Sequence, residues 1–479
     1  MADTLITDTT VITMDAQRRV LEKAAIAVVG GRIAAVGPND AVAAQYPGAR
    51  RIDGRRKLAM PGLIDGHAHA GHALVKTVGS GQTDAWFKAV QKIYSVGSDE
   101  EFWRAEAMLA AVERLKCGTT TGISLMGGGH DVHRTDDPVF GDLHCQATEK
   151  VGIRTFLAVG PNRGPFPLKY TRWTNGASRS TPVTFEQQMT TCETLIGRWH
   201  GKADGRVNIC IVAPVFHPED EEKDGWLEAD AKVQLRAARA LGRKHKLIFT
   251  QDGHRSGSLK WCHENADLLG PDAMMSHSVD LLAEEIPLSA ATGTTIVHNP
   301  SAIMSIRGRC PVPELLDAGA RVVLGSDGVA PDRSYDMFRH GWQAMHYHRR
   351  HFRDANILPP GKTLEMMTID AAHALGLGDE IGSVEVGKRA DLLLIDMFKP
   401  HLYPPNMPVY RIAYFAGGAD VDTVMVNGTV VMEGRKVLTV DEAQVLEDAA
   451  RAAETMIARN DLGALIETPA AIWGRSRLQ

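Results

Sequence analysis

Between residues 58 and 325 the chain repeats one pattern: a short apolar, β-branched run followed by a longer segment of helical periodicity. Eight such runs can be counted: Leu58–Ile64, Thr119–Ser124, Ile153–Val159, Val207–Ala213, Lys246–Thr250, Ala273–Ser276, Thr294–Val297 and Arg321–Gly325. Helical segments such as Asp99–Lys116, Thr184–His200, Ala229–Lys244 and Val312–Ala318 separate most of them. Strands that alternate with helices run parallel, because a helix makes each return trip across the sheet. Eight βα units imply an α/β fold, a closed (β/α)8 TIM barrel whose strand C-termini share one mouth. An open doubly wound sheet would want a Gly-x-Gly-x-x-Gly turn after an early strand, and none is placed there.

Both chain ends have a different texture. Thr4–Ile12, Ala24–Val29 and Arg32–Val36 read as short strands, with Gly30-Gly31 at a hairpin. Similar runs return at Ala390–Asp396 and Asp422–Val431, where Asn427-Gly428 marks a second hairpin. The expected division is therefore a small β-sandwich built from 1–60 and 385–440, a barrel over 61–384, and a helical extension over 441–479. The helix of that extension spans Glu442–Ala458. Pro161–Pro182, rich in Pro, Gly, Ser and Thr, reads as a long loop over the barrel mouth.

Composition excludes several classes of partner. The formal net charge is -5 and no basic stripe stands out, which argues against nucleic acid or an anionic membrane surface. No apolar run approaches the roughly 20 residues that cross a bilayer, and the first residues lack the signal-peptide pattern. Six scattered cysteines without a Cys-x-x-Cys pair read as reduced thiols. Cytoplasm is the default location.

Candidate chemistry gathers at the ends of the predicted strands. In Pro61-Gly62-Leu63-Ile64-Asp65-Gly66-His67-Ala68-His69 the two histidines at i and i+2 leave the same face and can converge on one ion. An isolated histidine is usually a surface or satisfied core group, but a His-x-His pair closing an apolar strand is a ligand pattern. Asp327, in Gly325-Ser326-Asp327-Gly328, ends the eighth strand, beside the first once the barrel closes. A lone Ser-Asp-Gly is simply a turn. Next to His67 and His69, however, Asp327 can ligate the same ion and accept a proton from metal-activated water. His277 and His298 also end strands. His277 reads as a group that polarises substrate or holds the attacking water, and His298, with neighbouring Asn299, as substrate-orienting.

These motifs resemble the amidohydrolase superfamily, in the branch of aromatic aminohydrolases and triazine hydrolases. Residues 58–70 look like its first metal motif. Asp379–Leu392 is similar to the segment leading from its barrel to its small β domain, and Val421–Gly428 to its closing hairpin. The resemblance runs essentially end to end. It implies one Zn2+ or Fe2+, with His67, His69, His277 and Asp327 as ligands, and a homo-oligomer, dimer or higher. It also implies hydrolytic displacement of ammonia or another group from a ring carbon of a small heterocyclic substrate.

The chain departs from the family after the fifth strand, where a histidine ligand is followed three positions later by a proton-shuttling glutamate. Here Gln251 falls at the histidine and His254 at the glutamate. An amide oxygen is a far weaker ligand for Zn2+ than imidazole. Three arrangements stay open: four ligands with Gln251 nearby, contacting substrate; His254 swinging back at the permissive Gly253; or weak or absent metal binding. His254 is then the candidate for proton delivery. An anionic leaving group such as halide or nitrite would need less of it. A non-catalytic relative that binds a small molecule is the alternative from another class.

Overall fold

The computed structural model describes residues 3–80, 83–128, 132–468, 470–474 and 476. The eight expected runs form one eight-stranded parallel sheet. In chain order its strands are Leu63–Asp65, Thr119–Leu125, Arg154–Val159, Val207–Pro214, Phe249–Asp252, Ala273–Ser276, Thr295–His298 and Val322–Leu324. The first and last meet at a seam, where Gly66 N–H donates to Leu324 O at 2.9 Å. A Cβ at Gly66 would stand 2.9 Å from that oxygen and 3.0 Å from Val323 Cγ2, so the seam closes only over glycine. Ile64, Ile123, Leu125, Val212, Met274, Val297 and Val323 fill the barrel interior, while alternate residues such as Ile211, Phe249, Met275 and Ile296 face the helices.

Two strand boundaries differ from the sequence reading. The run Leu58–Ile64 is divided at Gly62. Lys57–Pro61 pairs with Thr10–Val11 and Leu392–Asp396, and only Leu63–Asp65 joins the barrel. The fifth strand begins at Phe249 rather than Lys246, because Lys246 adopts a left-handed conformation (φ 55°) that caps the preceding helix, Glu228–His245.

The chain ends combine in one nine-stranded sheet that carries Thr4–Ile12 next to Lys57–Pro61, with Leu392–Asp396 on the far side. Ile6, Ile26, Ile33, Leu392, Leu394 and Met425 form its shared core. Pro161–Pro182 is not an irregular loop. Leu168–Thr174 and Ala177–Val183 form an antiparallel hairpin turned at Asn175-Gly176, both with positive φ, as a type I′ turn requires. It packs toward residues 94–96 and 133–134, through Arg134 to Thr171 O and Trp173 to Val96 O. The helix Glu442–Asn460 lies against Glu100–Lys116 and is tied to it by Lys116–Glu442 and Arg459–Asp99 ion pairs. All six cysteines are free, and among the described residues no helix is long and apolar enough to cross a membrane.

A buried ion pair couples the barrel to the terminal sheet. Arg154, on the third barrel strand, donates to both oxygens of Asp391 at 3.2 and 3.0 Å and to Gly205 O at 2.9 Å. Asp391 also accepts from Asn427 N at 2.8 Å, which fixes the Asn427-Gly428 hairpin. Both side chains are 2% exposed. Removing one partner strands the other charge, so Arg154→Met is expected to cost about 3–5 kcal/mol in urea unfolding. A double variant with Asp391→Leu should recover most of it; a loss in the single variant below about 1 kcal/mol would contradict this role.

Candidate metal centre at the barrel mouth

The first barrel strand ends in Asp65, whose carboxylate binds both sides of the seam. Oδ1 accepts from Ser326 N at 2.9 Å and His67 N at 3.3 Å, and Oδ2 accepts from Ser326 Oγ at 2.6 Å and Arg114 Nη2 at 3.2 Å. Arg114 is itself held by Ser124 Oγ and Ile123 O. The chain just beyond Asp65 is therefore locked to the chain just beyond the eighth strand, and Asp327 N donates to His67 O at 2.9 Å. Asp327 (φ 60°) and His277 (φ 70°) both adopt left-handed backbone conformations rare outside glycine. Such strain, about 1–3 kcal/mol each, persists where the surroundings over-determine it and clusters at functional sites.

Four of the proposed ligands come together: His67, His69, His277 and Asp327. A fifth, not foreseen from the sequence, completes the set. Asp252, at the end of the fifth strand, puts Oδ1 2.7 Å from His277 Nε2 and 3.3 Å from His67 Nε2, and Oδ2 3.4 Å from His69 Nε2. Asp327 Oδ1 is 3.1 Å from His69 Nε2 and 3.8 Å from His67 Nε2. One ligand atom each from His67, Asp252 and His277 lies within 4.8 Å of the others, and the same holds for His67, His69 and Asp327. Among the described residues His67 Nε2 and Asp252 Oδ1 make no hydrogen bond despite this crowding. Buried nitrogens and oxygens that converge without bonding one another fit a divalent cation. His69 Nδ1 lies 2.9 Å from Gly127 O; a proton donated there leaves the Nε2 lone pair for the ion.

The electrostatics agree. Burial raises the Asp252 and Asp327 carboxyls, but the neighbouring histidines outweigh it for Asp252, and Arg333, His69 and His277 outweigh it for Asp327. Both are held well below the usual carboxylate range.

Gln251, His254 and His298 do not join this cluster among the described residues. Gln251 lies on the outer face of its strand, as Phe249 does. Its Nε2 donates to Pro214 O at 2.8 Å, and its Oε1 accepts from Cys262 Sγ at 3.4 Å. Strand alternation turns it away from the mouth and turns Asp252 in. His254 sits 2.9 Å from Ser258 Oγ through Nδ1, is absent from the cavity wall, and is pushed down to about 3 by burial and by His217. His298 shares the outward face of Ile296 and packs against His348, ring centroids 5.1 Å apart. Asn299 does point inward, donating to Ser276 Oγ at 2.7 Å with its amide nitrogen 3.5 Å from His277 Nδ1. Its Oδ1 would be 2.3 Å from a Cβ at Gly325, which only glycine avoids.

A cavity of about 60 Å3 opens beside these groups, lined by His69, Asp252, His277 and Asp327 and walled by His72, Trp86, Phe87, Ile303, Met304 and Arg333. His72 stacks on His69 at 4.9 Å, and neither of its ring nitrogens has a hydrogen-bond partner among the described residues. Its place three residues after His69 was a signal that the strand-end reading passed over. Glu106, which accepts from Ala73 N at 3.4 Å and is pushed up to about 7 by burial, supports the turn that carries His72.

Asp252→Ala is expected to weaken divalent-metal affinity at least about tenfold, read as metal content after dialysis against a graded chelator. Gln251→His should leave that affinity at the wild-type value, because its ring would face the helices. Tighter metal binding in Gln251→His would place residue 251 in the mouth after all.

The family model of the amidohydrolase family matches residues 58–431. A 5-methylthioadenosine/S-adenosylhomocysteine deaminase of Desulforudis audaxviator is 32% identical over 449 residues, covering 90% of this chain and 94% of the relative. A 5′-deoxyadenosine deaminase of Methanosarcina mazei is 28% identical over 96% of this chain and 99% of its own. The fold is shared with a zinc-bound adenosine deaminase from Xanthomonas campestris, at a TM-score of 0.79 and 22% identity, covering 95% of this chain and 99% of that one. It is shared too with a zinc complex of an atrazine chlorohydrolase from Arthrobacter aurescens, at a TM-score of 0.76, 22% identity and coverage of 94% and 100%. The chain belongs to the amidohydrolase family and is a hydrolase.

Proposed function

We propose that this enzyme deaminates a small nitrogen heterocycle: water adds to a ring carbon, the exocyclic C–N bond breaks, and ammonia leaves. The observation that carries the reading is the convergence of His67, His69, Asp252, His277 and Asp327 beside a cavity with Trp86 and Phe87 in its wall. Deaminase relatives covering nearly the whole chain support it. His67, His69, Asp252 and Asp327 would hold one divalent ion, Zn2+ or Fe2+, with His277 beside it. When bound, the ion supplies Lewis-acid chemistry that lowers the pKa of water toward neutrality. In this reading Asp327 takes the proton of the attacking water and passes it toward the leaving amine, His277 hydrogen-bonds the incoming oxygen, and the aromatic wall orients the ring. Asn299 steadies His277. We further infer division into 1–60 with 385–440, 61–384 and 441–479, a cytoplasmic setting supported by six free thiols, and a homo-oligomer. The exposed Phe398, Tyr403, Tyr410 and Phe415 support that assembly.

A second reading, expulsion of halide or nitrite, draws on one observation. Among the described cavity residues the only carboxylates are Asp252 and Asp327, so no separate acid stands ready to protonate a ring nitrogen.

The metal-loaded protein is expected to release ammonia from aminated purines, pyrimidines or triazines, with Asp327→Asn lowering turnover roughly a hundredfold or more while the fold is kept. Halide or nitrite release without ammonia would favour the second reading. Near-normal turnover in Asp327→Asn would move the base to His277.

A further inference from the structure

The Arg333 side chain is 4% exposed and lines the same cavity as His72. Two of its nitrogens are anchored: Nε donates to Gly328 O at 2.6 Å and Nη2 to Ala330 O at 2.7 Å. The third, Nη1, is buried and makes no hydrogen bond among the described residues. Its nearest carboxylate oxygens, Asp327 Oδ2 at 3.8 Å and Asp332 Oδ1 at 4.0 Å, are ion-pair neighbours beyond hydrogen-bond length. A buried donor left unpaired is costly, and a guanidinium fixed at two points aims the third with little freedom.

Building on the deaminase reading, we propose that Arg333 is a specificity residue that selects rings carrying a carbonyl oxygen conjugated to the carbon under attack. Adding water to a ring carbon pushes negative charge onto the conjugated heteroatoms. A guanidinium stays protonated at all working pH values, so it donates a hydrogen bond but delivers no proton. It stabilises charge on a ring oxygen, which needs no proton, better than on a ring nitrogen that must be protonated. An arginine here, with no third carboxylate in the described wall, therefore matches lactam rings rather than adenine-like ones.

The test is equilibrium binding by calorimetry to metal-loaded wild type, Arg333→Met and Arg333→Lys, using 2-pyrimidinone against pyrimidine and hypoxanthine against purine, pairs that carry no amine to lose, with ammonia release from cytosine and guanine assayed separately. Wild type is expected to bind the oxo member of at least one pair about tenfold or more tighter, as one charge-assisted hydrogen bond implies. Arg333→Met should lose that preference while changing affinity for the oxygen-free ring less than about threefold, and Arg333→Lys should keep part of it. Equal or absent binding of both members by wild type overturns the proposal. So does an Arg333→Met variant that weakens both members alike or loses its metal, which would make Arg333 a support for Asp327 only. If Arg333→Met fails to fold, the wild-type preference and Arg333→Lys decide. A binding preference without ammonia release would sink the deaminase reading and leave this one standing.

Discussion

Everything at the mouth depends on the Asp65 carboxylate. A parallel barrel has one seam where its two ends must be held in register, and here Asp65 joins the first strand to Ser326 beyond the eighth while Arg114 holds it from the helix behind. His67 and His69 leave one side of that seam, and Asp327 leaves the other. A slip of one residue would turn the histidines outward, because side chains alternate along a strand. Gly66 and Gly325 permit the closeness, and Asp65 gives the approaching backbone and hydroxyl groups their partners.

The rest of the proposed site follows from alternation on the fifth strand. Thr250 and Asp252 share one face, Phe249 and Gln251 the other, so the side chain that reaches the ligand cluster is a carboxylate. An oxygen donor is harder than imidazole and adds a negative charge. With Asp327 it brings two carboxylates to three imidazoles, enough to neutralise a divalent ion. Arg333 lies 3.8 Å from Oδ2 of Asp327, the oxygen not turned to His69, and lines the cavity beside the cluster.

Much of this was legible in the sequence. The eight runs marked all eight barrel strands, and the His-x-His and Ser-Asp-Gly signals marked the seam. What misled was a helix end. Lys246 looked like strand because apolar residues follow it, yet its left-handed conformation belongs to the helix cap, so the strand starts later and runs on to Asp252. Gln251 and Asp252 are one residue apart, the amount that inverts a strand's faces, so the side chain that enters the cluster is Asp252. The hairpin at Asn175-Gly176 was readable from its turn signal but was masked by the polar composition around it. Residues such as His72 and Arg333 lie in irregular segments where periodicity offers no direction for a side chain.

Anomalous diffraction from crystals of the wild-type protein loaded with Zn2+ locates the ion among these side chains. One ion is expected about 2.0–2.2 Å from the nitrogens of His67 and His69 and from a carboxylate oxygen of Asp252, with Gln251 turned toward Pro214. An ion that leaves Asp252 unligated, or that draws in Gln251 or His254 instead, would contradict this arrangement.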